Sequence, residues 1–278
     1  EYFKKYNLDY SLDINSNKYA KYPSDITSNS NLDINTFINQ PNNILGIEYI
    51  KALMRFNSKI NPVPLKRLGA GYHSLDTRTK LASATGIRTA MANKDNISGL
   101  LPDNCLNIIK NHTTIEYNDF STVLGSKLLS MDTLDHIEGI NQDLSNRIAN
   151  NKYNFTDIET FIPMLQSKNY TYSAISRALL HIILDIKTDD IKEFISNNYV
   201  NYAMILGFNK NTGILSEINK YTKIPLVSKF ATFYKEADNN QRKMLDINLK
   251  ADNLYRMIYM NKTSETLPTE FQRQIIIK

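Results

Sequence analysis

The chain has 278 residues, 42% of them hydrophobic, and its Lys and Arg outnumber its Asp and Glu by 33 to 28, a formal charge of +5. That length buries a sizeable core and favours two domains over one, while the modest excess of positive charge permits an anionic partner such as RNA without requiring one. A single cysteine, Cys105, excludes an intrachain disulfide framework and a cysteine-rich zinc site and points to a reducing cytoplasm; apolar runs such as ALLHIILDI (178–186) are too short for a membrane span, and no secretory signal opens the chain.

Residue 1 is Glu, and EYFKKYNLDYSLDI reads as the tail of a helix running into a polar loop, so the chain is expected to be a fragment of something longer. Residues 11–40, rich in Ser, Asn and Asp, read as loop or linker. After Pro41, Ile44, Leu45, Ile47, Ile50, Leu53 and Met54 recur at helical spacing and predict a helix to about Phe56. INPVPLKRL (60–68) suits a short edge strand that delivers Lys66 and Arg67 at its end, because its prolines exclude a central one. GAGYHSLDTRT (69–79) is loop, and LASATGIRTAMANK (81–94) is a turn entering a helix near Thr85. From about residue 102 the pattern is helical, over 102–110, 118–130, 141–150, 157–167, 172–186 and 189–197. A mixed segment closes the chain: a strand over 199–208, a helix near 212–221, a short strand at 224–228 and a helix near 239–260.

The chemistry concentrates in Asn42, Arg67 and the turn Ser83-Ala84-Thr85-Gly86-Ile87-Arg88. A Ser/Thr-rich turn opening a helix presents hydroxyls and unpaired N–H groups to an anion, and Arg88, one helical turn after Thr85, reaches the same phosphate. Ser before a helix is also the commonest cap, and an exposed arginine is commonly a solvated charge. The pair Asn42-Asn43 poses the same choice, since a cap needs only one of them. In the helical half, NYTYSAISRALLHIIL places Ile175, Leu179, Ile182 and Ile186 in a buried stripe and leaves Lys168, Tyr170 and Arg177 for solvent or an RNA backbone, with packing of Tyr170 and Tyr172 at the helix start as the alternative. Arg147, Lys152 and Arg242-Lys243 are further basic candidates. The four histidines, at 73, 112, 136 and 181, have no metal-ligand spacing; His73 alone stands near the candidate nucleotide segments, and His181 suits a core or boundary position.

The turn resembles the S-x-T-x-I-R turn of the HIGH-type nucleotidyltransferase superfamily. PNNILGIEYIKAL, LKR, GYH and ASATGIR, followed by FIPMLQSKNYTYSAISRALLHIILDI, YAMILGFNKNTGILSEI and KADNLYRMIY, resemble in order and spacing the tRNA(Met) cytidine acetate ligase family. The resemblance implies an α+β, mainly α chain: a remnant of an α/β, Rossmann-like nucleotidyltransferase domain over 1–95, then a mainly helical tRNA-binding domain over 96–278 with a small β element near the C-terminus. It implies ATP, with Mg²⁺ arriving on it, and acetate as co-substrate, acetyl-adenylate as the activated species, and the wobble cytidine of elongator tRNA(Met) as acceptor, with no membrane or DNA partner. By the same resemblance Asn42, Arg67, Ser83, Thr85 and Arg88 contact ATP while Asn43 caps the helix. Nothing in the chain resembles the family's His-containing HIGH loop, so the catalytic residues are unassigned and these 278 residues alone are expected to be inactive. Two alternatives stay open: a non-catalytic RNA- or protein-binding helical module with a vestigial nucleotide site, and a nucleotidyltransferase acting on a small metabolite.

Overall fold

The computed structural model describes residue 38 and residues 40–65 and 82–278. It divides into two compact units, residues 1–108 and 109–278. The chain is mainly helical with a few short parallel strands.

The described part of the first unit is helices and loop. Helix α1 (Pro41–Arg55) starts at a proline, whose missing N–H and fixed φ suit a first turn. It stops where Asn57 turns left-handed (φ 46), letting the Ser58 N–H reach the Leu53 carbonyl (2.8 Å) and the Asn57 N–H that of Met54 (3.1 Å). No residue of α1 is fully buried. Residues 58–65 form no strand, so the edge strand expected from residue 60 is absent over its described part. Two prolines remove ladder donors there, and Val63 and Leu65 are almost fully exposed, so neither a partner strand nor a core holds the segment extended. Helix α2 (Ala84–Ala92) ends as α1 does, with Lys94 left-handed and the Asp95 N–H on the Ala90 carbonyl (2.8 Å). Helix α3 (Asp103–Lys110) follows.

The second unit holds the dense core. Helices α4 (Ser121–Ser130), α5 (Gln142–Asn151), α6 (Ile158–Leu165) and α7 (Tyr172–Leu184) bury Leu124, Leu128, Leu144, Ile148, Phe161, Ile162, Ile175, Leu179 and Ile182 at 2% exposure or less. The helical spacing read from the sequence places these side chains on single faces, and burying such faces is what holds helices this short. The starts of α5, α6 and α7 are capped by Asn141, Asp157 and Thr171, which accept from the N–H groups of Leu144, Thr160 and Ala174. Buried Ser121 accepts from the Ile158 N–H (3.1 Å), pinning the start of α6 to α4. Gly125 admits the Phe155 ring, whose edge a Cβ would meet at 3.0 Å. The expected helix 118–130 is split into a 3₁₀ turn at Tyr117–Phe120 and α4.

Helix α8 (Thr188–Ser196) leads to a C-terminal module of β1 (Ala203–Met204), β2 (Gly207–Phe208), α9 (Ile214–Tyr221), β3 (Leu226–Val227), α10 (Phe230–Glu236), α11 (Asn239–Thr263) and β4 (Ile276–Ile277). The expected strand 199–208 shrinks to two short pieces that use opposite edges: the Ala203 and Ile205 N–H groups bond toward β3, the Leu206 and Phe208 carbonyls toward β4, both in parallel. Gly207 is required there, since a Cβ would lie 2.8 Å from the Ile276 carbonyl oxygen. Neither α10 nor β4 was expected; FATFYKE carries its apolar residues for an aromatic cluster with Phe271, and β4 pairs with residues about 70 positions earlier in the chain. Lys243 joins α11 to α8 through Asp190 and Glu193 (2.7 Å each), and Lys262 joins its far end to Asp119 (2.7 Å).

Candidate functional site

Helix α2 separates a packing face from a polar one. Ser83, Gly86 and Ala90, at i, i+3 and i+7, are buried on one face of the helix. Ser83 Oγ accepts from the Gly86 N–H at 2.9 Å, so this serine is the N-cap. Thr85 is half-buried and Arg88 exposed, and the Arg88 Nη2 lies 3.5 Å from the Thr85 hydroxyl, which brings the cation back to the positive end of the helix. First-turn amides, a hydroxyl and a guanidinium at one helix end together favour a phosphate-like anion.

Asn42 is exposed in the first turn of α1. Asn43 is not the cap: Gln40 holds that position, and its carbonyl accepts from the N–H groups of both Asn43 and Ile44 (2.9 Å each). The proline advances the helix start by one turn, ahead of both asparagines. A hollow of mixed lining, with Ile50, Leu53 and Met54 beside Asn57 and Ser58, lies at the other end of α1, about 18 Å of helix from Asn42 at 1.5 Å per residue, so it is no extension of the candidate nucleotide site. Arg67 and His73 lie outside the described residues. Among the described residues no group of three or more His, Cys, Asp or Glu is arranged to hold a metal ion.

The basic and aromatic candidates of the second unit take different parts. Tyr170 packs against the helical core, and its hydroxyl donates to Asn141 Oδ1 at 2.5 Å, so its ring helps hold the 167–170 turn against α5. Lys168 and Arg177 are exposed and form no ion pair among the described residues. Arg147 pairs with Asp143 (3.3 Å), Lys152 lies over the Tyr153 ring, and Arg242 stacks 4.0 Å above Tyr234. The carboxylates at Lys243 hold its ammonium pKa above the ordinary lysine range. His181 takes a boundary role, with Nδ1 at 2.8 Å from the Glu138 carbonyl. The sequence singled out Ser83, Thr85 and Arg88 but not Gly86 and Ala90, which form the buried face of the helix; their i, i+4 spacing was the available signal.

Residues 3–270 match the model of the HIGH Nucleotidyl Transferase family. A tRNA(Met) cytidine acetate ligase of a Thermoanaerobacter species is 31% identical over 242 residues, 84% of this chain and 59% of the relative. One from Caldanaerobacter subterraneus subsp. tengcongensis is 35% identical over 228 residues, 79% of this chain and 56% of the relative. The chain therefore spans less than two thirds of the length of these curated relatives. Two crystal structures of Thermotoga maritima TmcAL share the fold: the apo form at TM-score 0.76 and 23% identity, covering 86% of this chain and 61% of that one, and a form bound with alpha-thio ATP at TM-score 0.75 and 23% identity, covering 86% and 60%.

Proposed function

The chain belongs to the HIGH nucleotidyl transferase family, and from that premise we propose that it forms part of an ATP-dependent tRNA(Met) cytidine acetate ligase, which activates acetate as acetyl-adenylate and transfers the acetyl group to the exocyclic amine of the wobble cytidine of elongator tRNA(Met). The observation that carries the reading is the geometry of α2: a buried capping serine with a hydroxyl and a guanidinium 3.5 Å apart above it, in a chain about 30% identical to proteins named as that ligase. Adenylation moves negative charge onto departing pyrophosphate, and donors already in place stabilise that charge where it develops. In this reading Arg88 and Thr85 face the phosphates, Ser83 holds the turn that presents them, and Asn42 and Arg67 complete the contacts to ATP. Mg²⁺ arrives on ATP. Lys168 and Arg177 meet the tRNA, with Tyr170 fixing the turn between α6 and α7.

Calorimetric titration of ATP, coupled to acetate-dependent acetylation of a tRNA(Met) transcript by the ligase containing this chain, tests the reading. Arg88→Ala should weaken ATP binding and acetylation with an unchanged melting temperature, and Arg88→Lys should recover only part, since an ammonium lacks the guanidinium fork. Normal acetylation by the alanine variant would remove α2 from the nucleotide site.

A further inference from the structure

Arg242, in the first turns of α11, places its guanidinium carbon 4.0 Å from the centre of the Tyr234 ring of α10. That ring is itself held by three contacts: its hydroxyl donates to Asp246 Oδ1 at 2.6 Å, Phe271 meets it edge-on at 5.4 Å, and Phe230 stacks on it at 5.6 Å. A ring so fixed also fixes the cation that rests on it. Arg242 is half-buried, and its side chain has no hydrogen bond or ion pair among the described residues. Its Nε is enclosed without a partner, while Nη1 and Nη2 are not enclosed and reach solvent.

The carboxylates nearest along the helix are in use elsewhere. Asp238, one turn before, accepts from the Gln241 N–H at 2.8 Å as the helix cap, and Asp246, one turn after, accepts from Tyr234; neither is within ion-pair distance of the guanidinium. The adjacent Lys243 is neutralised by Asp190 and Glu193. Arg242 therefore keeps its charge uncompensated while its plane is set in advance. Lys168 and Arg177 are unpaired too, but they are exposed, so water solvates their charge and their side chains stay free to move. A guanidinium that is already seated and partly desolvated has less freedom and less water to lose when an anion arrives. Its two terminal nitrogens form the fork that matches a pair of phosphate oxygens, which a lysine cannot reproduce. A purely structural arginine, with its stem and charge spread over an aromatic cluster, is the competing role, and the salt dependence of RNA binding separates the two.

We propose that Arg242, seated on Tyr234, grips a backbone phosphodiester of the RNA substrate through its two terminal nitrogens. The proposal rests on the tRNA reading above and gives the C-terminal module a contact that this reading leaves to Lys168 and Arg177 alone. Binding of a tRNA(Met) transcript by the ligase containing this chain is measured by anisotropy across a potassium chloride series, with melting temperatures alongside to report any loss of packing. R242Q should weaken binding about tenfold at low salt and lower the slope of log affinity against log salt by somewhat under one. R242K, which keeps the charge and loses the fork, should retain the slope and recover only part of the affinity. K192Q, which removes an exposed lysine paired with Asp189, should leave the slope unchanged. An unchanged slope in R242Q, with or without a lower melting temperature, while the unaltered ligase binds the transcript overturns the proposal and spares the ligase reading. Full affinity in R242K overturns it as well, and decides the question even if R242Q fails to fold; an equal loss of slope in K192Q overturns it in favour of a bulk charge effect. Failure of the unaltered ligase to bind the transcript overturns both readings. Inorganic phosphate that displaces the transcript where chloride of equal ionic strength does not would mark a single-phosphate site and overturn the RNA assignment, as would poly-glutamate that binds the unaltered ligase and not R242Q, the mark of a site for acidic peptide.

Discussion

Helices α2 and α7 begin in the same way, on a capping hydroxyl, Ser83 Oγ for one and Thr171 Oγ1 for the other, and they differ in what the rest of the helix buries. The buried face of α2 consists of Gly86 and Ala90, with little apolar area to hide. That of α7 carries Ile175, Leu179, Ile182 and Ile183 within the core of the second unit. Equal caps on unequal faces teach that a local hydrogen bond starts a helix while burial of its face supplies the stability. Thr85 and Arg88, two of the residues proposed to meet ATP, stand on the helix with the smaller apolar face, where side-chain changes should cost chemistry more than folding.

Four measurements sharpen or break that contrast. Phe161→Ala, in the core and edge-on to Phe155 at 5.1 Å, should cost about 3–5 kcal/mol of unfolding free energy in urea titration; a loss below 1 kcal/mol would mean the second unit is not the stability reservoir. Arg88→Ala should leave unfolding within about 0.5 kcal/mol of the unaltered protein, because the residue is exposed and its bond to the Thr85 hydroxyl is long, at 3.5 Å. It should lower ligase kcat/KM by roughly 30- to 1000-fold, or about 2–4 kcal/mol in the transition state; a variant that loses activity only by unfolding would place α2 with α7 as a structural helix.

Ser121→Ala strips the Ile158 N–H of its partner inside the second unit and should cost about 1–3 kcal/mol, whereas Ser83→Ala removes a cap and should cost about 0.5–2 kcal/mol. If the two losses prove reversed, the cap matters more than the buried tie between helices. The smallest effect is expected on acidification. Burial raises the Asp119 pKa, but the Glu116 N–H and Lys262 outweigh it and leave the group below its ordinary value. Its stabilising contribution is then present above the ordinary carboxylate pKa of about 4 and is lost as pH falls through the lower folded value. Asp119→Asn should flatten the fall of melting temperature below about pH 4; identical acid profiles would show that the Lys262 tie contributes nothing measurable.

Periodicity alone located most helices of the second unit, because Leu124, Leu128, Ile175, Leu179 and Ile182 repeat at the spacing of one helix face, and the turn at Ser83 was legible as a capped helix start. The choice between Asn43 and its neighbours as cap was not, since Pro41 moved the helix start to a residue with no capping side chain in use. Helix α10 escaped because its apolar residues answer to Phe271, and β4 because a two-residue parallel pairing leaves almost no pattern in the chain.

What the sequence by itself determined is what depends on near neighbours: the helical faces, the caps at Ser83, Asn141, Asp157 and Thr171, and the order of segments that carries the family resemblance. Only the tertiary structure decided that Tyr170 leans on the core with its hydroxyl on Asn141, that Lys243 belongs to Asp190 and Glu193, and that Lys250 donates to the Leu184 carbonyl at the end of α7. Those outcomes join residues between 29 and 66 positions apart, and packing of the core brings such residues together without leaving a short-range spacing in the chain.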